Sequence, residues 1–448
     1  MKHSTTSLLS LILMILFISV WNFSCKKENN IGDDQSASQT KKYNADVVNE
    51  WFSLLASNSR TARLAPAPSI RIFVYSSIAF YESVVTGMPS YQSIYKHFTG
   101  NIIDVEPKNE YYWPAVANAA LARISEKMIR NYNANPDLVV MQQLETSFNT
   151  SFQNETTPEQ LQLSINFGKS VADKIYEWST TDGTLNPDGT LALCPPYVPL
   201  GTQGTWVPTP TSFAPAAGAC QGNLRTFIPN IVNNSLPPPT VPYSTVPSSD
   251  FYKMANEVYQ TSLNLTADEI KLAQSWRDFF PNFNTPSHVL KLSSHIVAKE
   301  KLNLEDAAVL YAKLTISMSD AIACVFKAKF HYAQLRPITY IRGVMGHTTW
   351  NTVTPTPQHP AYPSTVTCGA AAGISILEKF FGNNYAVIDS TQQSWIGTWS
   401  YSSLDEFAKD VAKSKILAGH NYRPAVEAAI TQGRTVGNIV HVLPFKKP

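Results

Sequence analysis

Helix-start signals recur along the chain, and they constrain its fold more than any other feature of the sequence. Each combines a capping residue with an acidic or amide residue three positions later, which is the spacing of a capping box. Apolar residues at intervals of three and four follow each signal, as in an amphipathic helix. Alternating strand patterns are nearly absent, so the sequence predicts an all-α fold, a large helical bundle. The four clearest signals are Thr157–Gln160, Thr266–Glu269, Asn303–Asp306 and Ser403–Glu406.

The composition excludes two broad classes of protein. Charged residues make up 15% of the chain, against about 25% in ordinary domains, and aromatic residues make up 11%. Disordered proteins have few aromatic residues and high charge, so this chain is not one of them. The net charge of +2 and the lack of a long Lys/Arg run argue against a nucleic-acid-binding protein.

Residues 194–247 differ from the rest of the chain because they contain 12 of its 30 prolines. Proline breaks helices, yet this stretch also contains aromatic residues such as Trp206 and Tyr243. We therefore expect an irregular insertion that packs over the helical core within a single domain, residues 43–448. A domain boundary is the alternative.

The N-terminus has the pattern of an export signal. Lys2 precedes an apolar run, Leu8–Val20, which is shorter than the ~20 residues of a membrane-spanning helix. Cys25 follows that run, and the arrangement resembles a bacterial lipoprotein signal. We predict a signal peptide (1–24), a lipidated Cys25, a polar tether (25–42), and a protein anchored to the cell envelope on its periplasmic or outer face. An ordinary cleaved signal and an uncleaved anchor are the alternatives.

The other cysteines fit an exported protein. Cys194 and Cys220 lie in loop-like sequence and could form a disulfide in an oxidising compartment. Cys324 and Cys368 lie in apolar runs and are predicted to be buried thiols. The chain has no CxxC or CxxxH spacing, and we expect no metal site of zinc type.

Lys329–Pro337 is the segment richest in candidate functional residues. On one continuous helix Lys329 and Arg336 would differ by about 20° in azimuth and share a face. Two cations on an otherwise apolar face need an anion, unless they reach water or pair with carboxylates. The segment has the pattern K-x6-R-P.

Two further segments, His359–Thr367 and Ser414–Arg423, follow at distances that complete a larger pattern. Together the three segments resemble the phosphatidic acid phosphatase type 2/vanadium-dependent haloperoxidase superfamily, and its envelope haloperoxidase-like members in particular. The resemblance implies a helical bundle that binds phosphate or its mimic vanadate. In the family a Lys, two Arg, a Ser and a backbone amide hold the oxyanion. A His in the second motif acts as acid–base, and the last His is the nucleophile or the vanadium ligand.

The resemblance transfers only in part to this chain. Lys329, Arg336 and Ser364 match the family residues, Lys415 replaces the second Arg, and Asn421 occupies the position of the nucleophile or ligand. Thr365 replaces a Gly, which would restrict the loop if that position needs an unusual φ. Val366 replaces the acid–base His, and Ala425 replaces the Asp that orients the last His.

These replacements favour a family member with weakened or lost catalysis that keeps a phosphate- or vanadate-like anion-binding site made of Lys329, Arg336, Ser364, Lys415 and Asn421. The alternative is an active haloperoxidase or acid phosphatase in which His420 stands in for the missing nucleophile, with His359 as a substitute acid–base. A different hydrolase is a third hypothesis, but no G-x-S-x-G or H-E-x-x-H pattern supports it.

Overall fold

The longest helix, α11 (Leu304–Tyr332), forms the centre of the structure. The structure is a computed structural model, and it describes residues 38–103, 111–133, 136 and 138–448. The predicted signal peptide and Cys25 lie outside the described residues. Most side chains of α11 are buried, because several helices pack against it.

Fourteen further α-helices occur in the described residues, and the all-α prediction is confirmed. One pair of short antiparallel strands, β1 (Val387–Asp389) and β2 (Trp399–Tyr401), accompanies them. The other helices are α1 (Asp46–Thr61), α2 (Pro66–Val84), α3 (Ile94–Thr99), α4 (Trp113–Arg130), α5 (Val139–Phe152), α6 (Pro158–Ser179), α7 (Ile231–Asn234), α8 (Asp250–Ser262), α9 (Ala267–Ser275), α10 (Thr285–Glu300), α12 (Pro337–Gly343), α13 (Thr365–Phe381), α14 (Leu404–Leu417) and α15 (Arg423–His441).

The predicted caps begin four of these helices. Thr157, Asn303 and Ser403 each accept a hydrogen bond from the backbone N–H three residues later. Thr266 and Glu269 form the complete, reciprocal capping box at the start of α9. Each cap satisfies a backbone N–H that has no partner within the helix, and therefore fixes where the helix starts.

The helices α11, α13 and α15 pack closely and set the spacing of the core. Gly433 and Gly437 of α15 allow this approach, since a Cβ atom at Gly433 would lie 2.3 Å from the carbonyl oxygen of Cys368. Any larger side chain there would push α15 away from α13. The N-terminal end of α13 is also joined to α15, because the backbone N–H of Ser364 donates to the carbonyl of Ala425 (3.0 Å).

The Pro-rich insertion contacts this core at several points. Its Trp206 is fully buried, and its backbone N–H donates to the carbonyl of Ala333 (2.6 Å). Ala217 N–H donates to the carbonyl of Gln358 (2.7 Å). Residues from Ser38 to Pro448 form one compact unit, within which the Cys194–Cys220 disulfide is formed and Cys324 and Cys368 are buried free thiols.

One helix among the described residues, α11, is long and apolar enough to cross a membrane. Most of its apolar window, 89%, is buried inside the protein. Its hydrophobicity is therefore accounted for by its place in the core.

Asp320 fastens the insertion to α11. Its two carboxylate oxygens accept hydrogen bonds from the backbone N–H groups of Phe227 (2.8 Å) and Ile228 (2.9 Å). Burial raises the pKa of Asp320 to about 7, and the two backbone donors oppose that rise. The carboxylate thus has partners in the insertion rather than on its own helix, where Lys329 lies far along the axis.

We expect Asp320→Ala to lower the free energy of unfolding by about 2–5 kcal/mol, because it leaves two buried N–H groups without acceptors. Urea denaturation at pH 8 measures the change. Glu177→Ala is the control, since Glu177 forms an exposed pair with Lys174 and its loss should cost under about 0.5 kcal/mol. Equal changes in the two variants would show that Asp320 does not hold the insertion.

Candidate anion-binding site

The end of one helix and the start of the next position Lys329 and Arg336. Lys329 lies in the last turn of α11, but Ala333 adopts a left-handed conformation (φ 47°) that ends the helix. Arg336 is the residue before α12, whose first position is Pro337. The prediction that both cations share one helix face is therefore wrong, because the helix stops between them.

The five residues predicted to bind an anion nevertheless line one cavity of about 940 Å³. We call these five residues the cradle. They come from the end of α11, the start of α12, the start of α13, the end of α14 and the loop before α15. In order they are Lys329, Arg336, Ser364, Lys415 and Asn421.

Three consecutive carbonyl groups organise the cradle. The carbonyl of His359 accepts from Arg336 Nε (2.7 Å), that of Pro360 from Lys329 Nζ (2.7 Å), and that of Ala361 from Asn421 Nδ2 (2.5 Å). Arg336 also donates from Nη1 to the carbonyl of His420 (2.8 Å). The Arg336 guanidinium therefore joins the segment that contains His359 to the segment that contains His420.

The electrostatics of the cradle favour an anion. Lys329, Arg336 and Lys415 are each at most 2% exposed, and no ion pair involving them occurs in the part of the chain that the structure describes. Lys415 Nζ donates to the carbonyl of Trp276 (2.7 Å). Buried cations that form no ion pair are costly, so the site is complementary to a negative ligand.

Burial lowers the pKa of all three cations, and Asp278 partly opposes the shift of Lys415. It lowers the pKa of Lys415 to about 8 and that of Arg336 to about 9, and both groups remain mainly charged at pH 7. The pKa of Lys329 falls well below its usual value, through burial first and through Arg336 second. A bound anion would reverse these shifts, because it stabilises the charged forms.

The N-terminus of α13 adds neutral donors and a partial positive charge. Ser364 Oγ caps the helix by accepting from Thr367 N–H (3.4 Å) and also accepts from Thr367 Oγ1 (2.9 Å). Thr365 and Val366 begin the helix at the cavity wall. Thr365 has no positive φ, so replacement of the family Gly strains nothing, and its buried Oγ1 has no partner. Such a helix end suits an oxyanion.

His420 and His359 also line the cavity. His420 Nε2 lies 2.9 Å from the carbonyl of Thr354, so Nε2 carries the proton and Nδ1, which has no partner, keeps its lone pair. His359 Nδ1 is 3.0 Å from Arg336 Nη2 and accepts from it. Burial lowers the pKa of both imidazoles well below the usual value, with nearby cations adding to the effect.

His288, His295 and His331 lie outside this cavity. His331 is exposed at the end of α11 and contacts the Tyr332 ring. His288 is fully buried and pairs with Asp389 (2.7 Å), as expected of a structural histidine. The pKa of His295 is lowered by burial.

Asp278 is a cavity residue that the sequence analysis missed. It follows α9, and its Oδ1 accepts from Thr285 N–H (2.7 Å) and Thr285 Oγ1 (2.8 Å). Burial raises its pKa, and Lys415 opposes that rise. The sequence signal for Asp278 is a charged pair, Arg277-Asp278, between aromatic residues. This pair belongs to none of the three family motifs.

Comparison with solved structures decides the fold family. A crystal structure titled as the first bacterial vanadium-dependent iodoperoxidase matches with a TM-score of 0.81 and 23% identity, covering 90% of this chain and 98% of that chain. This protein has the vanadium haloperoxidase fold. Holo- and apo-type bacterial vanadium-dependent chloroperoxidases match with TM-scores of 0.62 and 0.63 at 14% and 15% identity. Both matches cover 84% of this chain, and they cover 92% of the holo-type chain and 93% of the apo-type chain.

Sequence comparison agrees for the C-terminal part of the chain. Residues 309–444 match the family model of the VCPO second helical-bundle domain. That range contains the whole cradle, and the predicted superfamily resemblance is confirmed. The comparison with curated protein sequences gave no match.

The residues of the cradle fit vanadate only in part. Its cations, the α13 N-terminus and the unpartnered Thr365 Oγ1 fit the oxygens of a phosphate-like anion. The resemblance places the vanadium ligand at Asn421, whose amide has no basic nitrogen and already donates to Ala361. Asn421 therefore does not fit as the ligand of the metal.

We expect Lys329→Met to raise the free energy of unfolding at pH 7 by about 1–3 kcal/mol, because it removes a desolvated amine at the cost of one hydrogen bond. The unfolded lysine titrates near 10.5 and the folded one well below it. Wild-type stability should therefore rise with pH across that window, and the rise should be smaller in the variant, where only Lys415 and Arg336 contribute. Urea denaturation without added anions measures both effects.

Lys327→Met is the matched control for Lys329→Met. Lys327 lies on the same helix but is exposed, where its Nζ contacts Asn223. Its replacement should change stability by under about 0.5 kcal/mol. A Lys329→Met protein less stable than wild type would mean that the amine stabilises the fold and that the cradle carries no electrostatic cost.

Proposed function

We propose that this protein binds a phosphate-like oxyanion in the cradle and has weakened or lost the catalysis associated with its superfamily. One observation carries the proposal. Three buried cations that form no ion pair with any described residue line the same cavity, while the two positions that need an imidazole hold Val366 and Asn421. Donors for the oxygens are therefore present, and the groups for covalent chemistry are replaced.

The chemistry of the replaced residues explains the expected loss. A nucleophile or metal ligand needs a lone pair on a basic nitrogen, which the amide of Asn421 lacks. General acid–base catalysis needs a titratable group within hydrogen-bond reach, which Val366 cannot supply. Lys415 keeps the positive charge of the family Arg but loses its bidentate geometry. Binding depends on charge and donors, and it tolerates these changes better than catalysis does.

One observation favours an active alternative. His420 is 1% exposed, lines the cavity, and has an Nδ1 without a partner. Because Nε2 is held at the carbonyl of Thr354, the lone pair of Nδ1 is available. In this alternative His420 acts as the nucleophile or ligand in place of Asn421, and the protein is a haloperoxidase or phosphatase.

Calorimetric titration of the mature protein with phosphate tests the binding proposal. Lys415→Met and Lys329→Met should each weaken binding at least about tenfold, which corresponds to about 1.4 kcal/mol. Lys413→Met and Lys327→Met, exposed neighbours on the same two helices, should leave the affinity within about twofold. No heat, or equal affinities in cradle and control variants, would refute the proposal.

The affinity should also fall as pH rises through about 8. Lys415 loses its proton there, and an anion that stabilises the ammonium must then bind together with a proton. Sulfate, which does not titrate in this range, separates this effect from the ionisation of phosphate. Calorimetry in buffers of different ionisation enthalpy should show that a proton is taken up when the anion binds.

Two activity assays separate the proposal from its alternative. Protein incubated with vanadate, peroxide and bromide should not brominate a phenolic dye, and p-nitrophenyl phosphate should not be hydrolysed. Turnover that disappears in His420→Ala while phosphate still binds would establish the active alternative.

The envelope location forms part of the proposal. The N-terminal pattern supports export and lipidation at Cys25, and the Cys194–Cys220 disulfide suits an oxidising compartment. In an expressing bacterium, the protein should fractionate with membranes and carry a lipid on Cys25 detectable by mass spectrometry. Cys25→Ser should release it from the membrane. Membrane association that persists unchanged in Cys25→Ser would indicate an uncleaved anchor instead.

A further inference from the structure

The cavity is larger than its cradle requires. Its volume of about 940 Å³ lies near the upper end of the roughly 300–1,000 Å³ range for pockets that hold whole organic ligands. A single tetrahedral oxyanion would fill only a small part of it. The remaining space is bounded by the end of α1, the Pro-rich insertion and the loop between α9 and α10.

A second group of cations lines this remaining space. We call Arg60, Arg63 and Arg277 the rim arginines. Arg60 lies in the last turn of α1, Arg63 follows that helix and is exposed, and Arg277 lies just after α9. Whereas the cradle cations are fully buried, Arg63 reaches solvent, so this group lies towards the mouth of the cavity.

The rim arginines are held in place by uncharged partners. The Arg60 guanidinium lies 4.8 Å from the ring centroids of both Phe283 and Trp395, and its buried Nε has no partner. Arg63 lies 4.8 Å from the centroid of Phe280. These contacts orient the cations without neutralising them.

Arg277 is fixed in a similar way. Its Nε donates to Asn282 Oδ1 (3.1 Å), and its Nη2 donates to the carbonyl of Phe280 (3.4 Å). None of the rim arginines forms an ion pair with any residue that the structure describes. Further N–H groups on each guanidinium remain to bind an anion.

The charge balance of the whole cavity is strongly positive. Six Lys and Arg side chains line it, and Asp278 is the one carboxylate among the described lining residues. A cleft lined by one sign of charge concentrates ligands of the opposite sign. Six cations exceed what one phosphate-like group needs, and they fall into a buried set and a set at the mouth.

Apolar surface accompanies the two sets of cations. Phe279 and Phe280 in the α9–α10 loop are 46% and 49% exposed, and Phe326 of α11 also lines the cavity. Large apolar side chains left this exposed beside a cavity commonly mark a surface for an organic ligand.

We propose that the cavity binds an organic molecule with two separated anionic groups. One group, a phosphate-like oxyanion, occupies the cradle, and in this respect the inference rests on the proposed function. The second group, a phosphate, sulfate or carboxylate, binds the rim arginines. The organic part between them packs against Phe279, Phe280 and Phe326.

Calorimetry with matched probes tests this assignment on the full mature chain. The probes are inorganic phosphate, alkyl monophosphates, and alkanediol bisphosphates of four to ten carbons. At the best chain length the bisphosphate should bind at least about tenfold tighter than the monophosphate of equal length. Arg63→Gln combined with Arg277→Gln should remove that advantage and leave the affinity for inorganic phosphate within about twofold.

Lys253→Gln combined with Lys271→Gln controls for the loss of two positive charges. Both lysines are exposed, lie outside the cavity, and pair with an aspartate on their own helix. This double variant should keep the full bisphosphate advantage. A bisphosphate that binds no tighter than the monophosphate at any length would overturn the inference, as would an equal loss in both double variants.

The inference and the proposed function fail in different ways. If cradle variants Lys329→Met and Lys415→Met leave phosphate binding unchanged, the proposed function fails, whatever the rim variants do. If cradle variants abolish phosphate binding but rim variants leave bisphosphate binding unchanged, the inference fails and the proposed function stands.

Discussion

The hydrogen bonds donated to three consecutive carbonyls, those of His359, Pro360 and Ala361, are the interactions on which the site depends. They provide hydrogen-bond acceptors for Arg336, Lys329 and Asn421 without neutralising the charges of the two cations. A carboxylate in the same place would stabilise the cations and occupy the anion site. Carbonyl groups instead fix the positions of the donors and leave the net charge for a ligand. The cost of burying that charge is compensated by the large helical core around α11, which explains how the protein can maintain the site.

Local sequence signals predicted much of the fold. Caps such as Thr157 and Ser403 act within three residues, so their effect can be derived from the sequence alone. The cradle residues were found through family motifs, and the structure brings them into one cavity. The relation of Lys329 to Arg336 was mispredicted, because the left-handed turn at Ala333 follows from tertiary contacts. Alanine has no intrinsic preference for that conformation, and the insertion residue Trp206 donates to its carbonyl.

Asp278 and the rim arginines could not be predicted for a related reason. They lie far from the motifs in sequence, and only the packing of α1, α9 and α10 brings them to the cavity. Nothing in their local sequence distinguishes Arg63 or Arg277 from an ordinary surface arginine. The significance of the rim arginines comes from the absence of ion pairs to any described residue, which is a property of the assembled fold. The same is true of His420, whose free Nδ1 results from a contact between its other nitrogen and a distant carbonyl.

The Pro-rich insertion resembles a segment that tolerates sequence change, since long irregular loops usually accept substitutions and length variation. Its hydrogen bonds lead to the opposite conclusion. Trp206 and Ala217 bind carbonyls on either side of the cradle, at Ala333 and Gln358, and Asp320 holds the insertion at a third point. Changes in this loop would therefore alter the turn before Arg336 and the loop that carries His359. Homologues with shortened or lengthened insertions should differ in ligand preference even where every cradle residue is the same.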